Sequence, residues 1–171
     1  INTMDSTSNV RGAGFICASV SGACNTLTTA PDCANVKIAT FTGPGNFTVN
    51  AVSATAAENT VGYMVVAGGA GGGGSCAGGG GGAGGFREGR NVPVDNFTAS
   101  PLVANAPTNA LTITAQTYPI VVGAGGAGSI PGSAASNGSV STFGSISSTG
   151  GGKGGLGNNV PATRVGSPGG S

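Results

Sequence analysis

Histidine and tryptophan are absent from this chain of 171 residues, and only 6% of its residues are charged. Without histidine, no serine–histidine or cysteine–histidine nucleophile can form. The acidic residues are isolated from one another, so nothing supports the carboxylate pair that glycoside hydrolysis requires. These acids are Asp5, Asp32, Glu58, Glu88 and Asp95. We therefore expect a non-enzymatic protein with no catalytic residue.

Cofactor and metal sites also lack sequence support. The glycine tracts contain the G-x-G-x-x-G spacing by composition alone, and no predicted helix follows any tract, as a dinucleotide or phosphate loop would require. The four cysteines form no C-x-x-C pair, so a zinc site would need all four at unusual spacing. We expect no cofactor and no metal.

The low charge limits the partners as well. Nucleic-acid binding depends on basic residues that neutralise phosphates, and here they are scattered. The basic residues are Arg11, Lys37, Arg87, Arg90, Lys153 and Arg164. The uncharged stretch 59–86 is long enough to span a bilayer, but it is mostly glycine, which gives little transfer energy. We expect neither nucleic-acid binding nor membrane insertion.

The cysteines are Cys17, Cys24, Cys33 and Cys76. One or two disulfides among them would cross-link a loop-rich N-terminal segment, and an extracellular or virion setting would permit such bonds. Buried free thiols are the alternative. The chain starts at Ile1 and shows no basic region followed by an apolar run, so we expect a piece of a longer polypeptide without a visible signal peptide.

What the chain has in abundance is glycine, with 36 glycines and 9 prolines. Disordered chains usually combine a poor core with high net charge, but here the net charge is +1, so a backbone-dominated fold is favoured. We divide the chain into a cysteine-containing segment, 1–36, and a glycine-rich β domain, 37–171.

Several short runs predict β-strands. Residues 37–42 and 46–49 flank a Gly-Pro-Gly turn and alternate as a half-buried hairpin should. Residues 61–66 form the most apolar strand, and 111–115, 118–122 and 140–146 add further strands. No segment has apolar residues at helical spacing with caps. The fold class is therefore mainly β, with short antiparallel strands, extended glycine-rich segments of polyglycine or polyproline-II type, and little or no helix.

The longest glycine tract, 68–85, admits two interpretations. It is either a flexible linker or a set of extended strands packed through their backbones, as glycine permits at the collagen axis. The second interpretation predicts that glycine recurs at fixed positions of a three-residue register. No strict register is visible, so the linker interpretation stays open. The residues that interrupt the glycines fall in all three phases: Ala70, Ser75, Cys76, Ala77 and Ala83.

The end of this tract holds the candidate binding residues. Phe86, Arg87, Glu88 and Arg90 could form a polar recognition loop that contacts a surface glycan or protein. Alternatively, these charges satisfy one another and cap the glycine tract.

The motifs TFTGPGNFTV, VGYMVVAGGAGGGG, GGFREG, YPIVVGAGGAG and NGSVSTFGSISSTGGGKGG resemble the glycine-rich domain of bacteriophage tail fibres and other virion structural proteins. The resemblance covers residues 37–171. It implies a structural and host-recognition role in a virion tail appendage. In some phage adhesins, polyglycine-II bundles present loops to the receptor, and the resemblance suggests the same role for these tracts.

By the same resemblance, the partners would be other tail proteins, a host glycan or protein, and copies of the chain, in a trimer if the chain forms a fibre shaft. Two alternatives stay open. One is a secreted structural protein that forms an extracellular filament, for which exposed strand edges suit polymerisation. The other is an ice-binding polyglycine protein, which would demand a regular flat face.

Overall fold

The computed structural model describes residues 16–31, 33–75, 77–90, 110–130, 133–157 and 164–170, without the side chains of 33–35. The chain forms two compact units, Ile1–Tyr63 with Gly89–Ile120 and Met64–Glu88 with Val121–Ser171. The expected boundary at residue 36 is not where the units divide. Strands on either side of that residue pair with each other, so the N-terminal segment does not stand apart.

The described part of the chain is mainly β, as predicted, with antiparallel sheets and no helix of seven or more residues. Ala56–Glu58 forms a 3-10 turn. In chain order the strands are β1 Cys17–Ser21, β2 Thr26–Ala30, β3 Cys33–Thr40, β4 Gly45–Ala51, β5 Thr60–Val61, β6 Tyr63–Val66, β7 Phe86–Gly89, β8 Leu111–Thr112, β9 Thr117–Val121, β10 Ser141–Phe143 and β11 Ile146–Ser148.

The first unit has a core of side chains around β4, which lies between β1 and β9. Phe47 of β4 is opposite Tyr118 of β9, and their ring centroids are 6.5 Å apart. Val49 follows on the same face of β4 and is buried, as is Ile120 of β9. Cross-strand pairs of this kind, large and apolar on one face, stabilise a sheet.

The Tyr118 hydroxyl closes the turn that precedes β9. It accepts a hydrogen bond from the backbone N–H of Thr114 at 2.8 Å. Burial acts to raise the pKa of Tyr118, but the hydrogen bonds with Thr114 and Gln116 together outweigh it, and the pKa lies below its usual value of 10.0. The hydroxyl also donates to the carbonyl of Thr114 at 3.5 Å.

The hairpin expected between residues 37–42 and 46–49 does not form. Instead β3 pairs with β2, and β4 pairs with β1 and β9. The Asn25 side chain accounts for this, because its Oδ1 accepts the N–H groups of Thr42 and Gly43 at 3.1 and 3.3 Å. Its Nδ2 donates to the carbonyl of Ser21 at 2.9 Å. These hydrogen bonds join the Gly-Pro turn to the turn between β1 and β2, so β3 and β4 do not pair with each other.

Two of the strands that sequence did not predict, β1 and β2, contain mainly small residues and threonine, which give no clear alternation. Gly22 follows β1 with φ of 104°, a conformation that a side chain would strain. Partners in β3 and β4, rather than local pattern, therefore determine these two strands.

The glycine tracts of the second unit are not flexible linkers; together with residues 133–140 and 166–170 they form six extended segments. We number them in chain order: segment I is 67–75, II is 77–85, III is 122–129, IV is 133–140, V is 149–157 and VI is 166–170. None of them lies within a named β-strand. Their backbone groups bond to neighbouring segments at every third residue, which is the pattern of polyglycine-II packing.

Segments I and V lie at the centre of this hydrogen-bond pattern. Segment I bonds to II, III, IV and V, and segment V bonds to I, II, IV and VI. Segments I, III and V run in one direction, and II, IV and VI run in the other. Between segments I and V, Gly151, Gly154 and Gly157 donate to the carbonyls of Gly68, Gly71 and Gly74 at 2.9, 3.0 and 3.1 Å.

This pairing arranges the six segments as two layers of three, III–I–II and IV–V–VI. The exposure of each segment agrees with that arrangement. In segment I, Gly69 and Gly72 are exposed while the residues between them turn inward, and in segment V the outward residues are Lys153 and Leu156. In the outer segments III, IV and VI about one residue in three is less exposed. In segment II the inward positions are every third residue, Gly78, Gly81 and Gly84, where a Cβ would collide with segment I. The middle segments therefore have two inward positions in three.

The inward positions require glycine because the neighbouring backbones leave no room for a Cβ atom. A Cβ built on Gly71 or Gly154 would lie closer than 3.0 Å to backbone atoms of another segment, a distance that real Cβ atoms essentially never show. At the outward Gly72 the nearest atom would be 3.8 Å away, and at Gly128 it would be 3.9 Å away. Among the described glycines only Gly22 and Gly144 have positive φ, so alanine fits the backbone conformation of both outward sites.

This difference predicts opposite effects for neighbouring substitutions. Gly71→Ala and Gly154→Ala should each lower the free energy of unfolding by about 1–3 kcal/mol, because the methyl group forces two backbones apart. Gly72→Ala and Gly128→Ala should change it by less than about 1 kcal/mol, in the stabilising direction, because alanine restricts the unfolded chain. Urea denaturation of the four variants measures this. Equal losses at inward and outward sites would contradict the arrangement.

A second prediction concerns the first unit. Tyr118→Phe keeps the ring packed on Phe47 but leaves the Thr114 N–H without its acceptor, so we expect a loss of about 1–2 kcal/mol. Tyr118→Ala removes the ring as well and should cost about 3–5 kcal/mol. Thermal and urea unfolding of both variants test the ranking. A neutral Tyr118→Phe would show that water or another group replaces the hydroxyl.

Candidate functional site

Three chain reversals of the second unit lie at one end of the bundle, which we call the turn end. They join segment I to II, III to IV, and V to VI. Because I, III and V run in the same direction, all three reversals occur at the same end. The described residues of the turn end are Ser75, Ala77, Ser129, Ile130, Ser133, Leu156, Gly157, Arg164 and Val165.

The first reversal is tight. Gly78 donates its backbone N–H to the carbonyl of Ser75 at 3.3 Å. Ser75 has φ of 75°, a conformation that is uncommon for a residue with a side chain. This turn falls in the middle of the longest glycine tract, at its few interrupting residues. The turn changes the phase of the three-residue register between segments I and II.

The second reversal presents a large apolar side chain to solvent. Ile130 and Ser133 exchange backbone hydrogen bonds of 3.2 and 2.9 Å, and Ser129 Oγ donates to the carbonyl of Ser133 at 2.9 Å. With its backbone held in this way, the Ile130 side chain is 66% exposed. An exposed large apolar side chain at the tip of a reversal makes Ile130 a candidate contact residue.

The third reversal places charge beside apolar groups. Arg164 is exposed, and the next residue, Val165, is 72% exposed. A shallow pocket of about 370 Å³ lies here, lined by Ala77, Gly79, Gly155, Leu156, Gly157 and Arg164. Its walls come from segments II and V and from the start of the chain that leads into VI. The pocket thus combines a cation, apolar groups and glycine backbone.

The candidate residues expected from sequence do not lie at the turn end. Phe86–Gly89 forms strand β7, which pairs with β6, so these residues are not the loop that we expected. Segment II runs from the turn end to residue 85, a length of roughly 25 Å at the rise of a polyproline-II helix. Arg87 is exposed on β7, and its Nη1 donates to the carbonyl of Phe86 at 3.1 Å. Their role in recognition stays a prediction, and 91–109 lie outside the described residues.

The expected disulfides also stay a prediction. Cys17 is half-buried and Cys24 is exposed, and both have free thiols. The side chains of Cys33 and Cys76 lie outside the described part of the structure. Within the described ranges, no group of three or more metal-ligating side chains comes together. No helix in those ranges is long and apolar enough to cross a membrane.

The turn-end residues were missed by sequence reasoning because their proximity depends on segment direction. One local signal was present: each reversal interrupts a glycine tract with serine, a bulky apolar residue or a cation.

The glycine-rich domain family matches residues 41–171, which include both the segments of the bundle and the turn end. No curated protein and no solved structure matches the chain. Since the match extends over well more than half of the sequence, this chain belongs to the glycine-rich domain family.

Proposed function

We propose that this chain is a non-enzymatic structural and host-recognition component of a bacteriophage tail fibre or related virion appendage, and that the turn end contacts the host surface. The observation that carries the proposal is the clustering of three reversals at one end of a backbone-packed bundle. Such a bundle is a rigid support, and loops on rigid supports are the usual place for binding residues.

The chemistry of the turn end supports recognition. Ile130 and Val165 are large apolar residues held in solvent at 66% and 72% exposure. Arg164 adds a guanidinium group next to Val165. Arginine is enriched among the residues that contribute most to binding at protein interfaces. The partners would be other tail proteins, copies of this chain, and a host glycan or protein.

A second candidate function, the extracellular filament, has one observation in its favour. The layer III–I–II contains only glycine, alanine, serine and a single valine within its described segments, and it has no charge. Such a face could pack against the same face of another copy. A related idea is ice binding by this face. A thermal-hysteresis assay on the isolated chain tests it directly.

The proposal is tested by cryo-electron microscopy of the native assembly that carries this chain. We expect density for the chain in a tail appendage, with the turn end facing away from the particle. Repetition of the chain along a free filament would overturn the proposal and favour the filament.

A matched set of variants tests the turn end itself. Ile130→Ser with Val165→Ser should lower binding of the labelled chain to susceptible bacteria by about tenfold or more, because two exposed apolar contacts are lost. Met64→Ser is the control, since Met64 is 67% exposed on β6, away from the reversals. Flow cytometry measures the binding. Equal effects of the control and the double variant would exclude a specific role for the turn end.

A further inference from the structure

The pocket at the turn end is built from two kinds of group. Leu156 and Ala77 give it apolar walls, and Gly79, Gly155 and Gly157 leave backbone exposed between them. Arg164 provides the charge. At about 370 Å³ the volume falls in the range of small-ligand sites, which usually combine apolar walls with a few polar groups.

The charged residue that lines this pocket is Arg164. No aspartate or glutamate occurs in the sequence after Asp95. Glu88 is the acidic residue of the second unit, and it lies on β7, roughly 25 Å along segment II from the turn end. The acidic residue of this unit therefore lies far from Arg164 along the bundle.

The backbone adds donors to the same pocket. Gly79 and Gly157 already donate their N–H groups to Gly155 and Gly74, at 2.9 and 3.1 Å. The N–H groups of Ala77, Gly155 and Leu156 take no partner among the described residues. Glycine-lined walls let a ligand approach the backbone closely, as at phosphate-binding loops.

The geometry points to a binding site for an anionic saccharide in this pocket. The carboxylate or phosphate of the sugar would pair with the Arg164 guanidinium and with backbone N–H groups, and the apolar face of the ring would lie on Leu156. Arginine suits this role because its planar guanidinium group can bind a carboxylate or phosphate through two hydrogen bonds. This inference rests on the proposed function, for which it names the ligand class.

The test is an NMR titration of the ¹⁵N-labelled chain with D-glucuronate, D-glucose 6-phosphate and D-glucose. The three sugars differ at carbon 6, so they compare a carboxylate, a phosphate and a neutral hydroxyl on one ring. We expect the anions to shift the amide resonances of Ala77, Gly155 and Leu156, and glucose to leave them unchanged. The stronger of the two anions identifies the preferred group. Equal shifts with glucose would overturn the inference.

Two variants with the same change of charge supply the control. Arg164→Gln should weaken binding of the preferred anion by about tenfold or more, because a charge-assisted pair is lost. Lys153→Gln removes a cation from the outward face of segment V and should leave the affinity unchanged. Equal weakening by both would show general charge attraction, which would overturn the site. Overlay of the two variants' spectra on that of the wild type confirms the fold.

Binding to susceptible bacteria separates this inference from the proposed function. If wild type and Arg164→Gln bind cells equally, recognition stands and the saccharide pocket is wrong. If Arg164→Gln loses the sugar anion while the wild type binds no cells, the pocket stands and host recognition is wrong. Loss of both sugar and cell binding in Arg164→Gln, with Lys153→Gln unaffected, supports both.

Discussion

The close approach of glycine backbones is the constraint on which the second unit depends. Segment V donates hydrogen bonds of 2.9–3.1 Å to the carbonyls of segment I, and a Cβ on Gly71 or Gly154 would collide with a neighbouring segment. Glycine loses more conformational entropy on folding than any other residue, and these regular hydrogen bonds offset that loss. The bundle is therefore held by main chain rather than by a core of side chains.

This constraint also determines where side chains can be. In the middle segments only one position in three faces out, and in segment V that position holds Lys153 and Leu156. The first unit differs, since Phe47, Val49 and Tyr118 build an ordinary apolar core there. A backbone-packed bundle restricts its inward positions to glycine or another small residue. The residues that connect the segments have no such restriction on size. Substitutions that leave the fold undisturbed are thus confined to the outward positions and the reversals.

Much of the fold could be predicted from sequence, and the failures have physical causes. The mainly β class and the extended glycine segments follow from composition and alternation. The triplet register was hidden because the turn at Ser75 separates segments I and II, so Ala70 and Ala83 belong to different phases. The hairpin prediction was wrong because Asn25, 17 residues before Thr42, binds the turn. The turn end depends on the relative directions of six segments, which no local pattern encodes.

Under the proposed function, the distribution of functional groups favours binding at an end of the bundle rather than along its side. Gly69, Gly72 and their neighbours on layer III–I–II offer almost no side chain that could discriminate one ligand from another. The reversals, in contrast, hold Ile130, Arg164 and Val165 in solvent. Specific binding requires groups that differ in charge, shape and hydrogen-bonding capacity, and within the described bundle these groups meet at the turn end. The regular side faces are better suited to rigidity and to contacts between copies, where uniform backbone is enough.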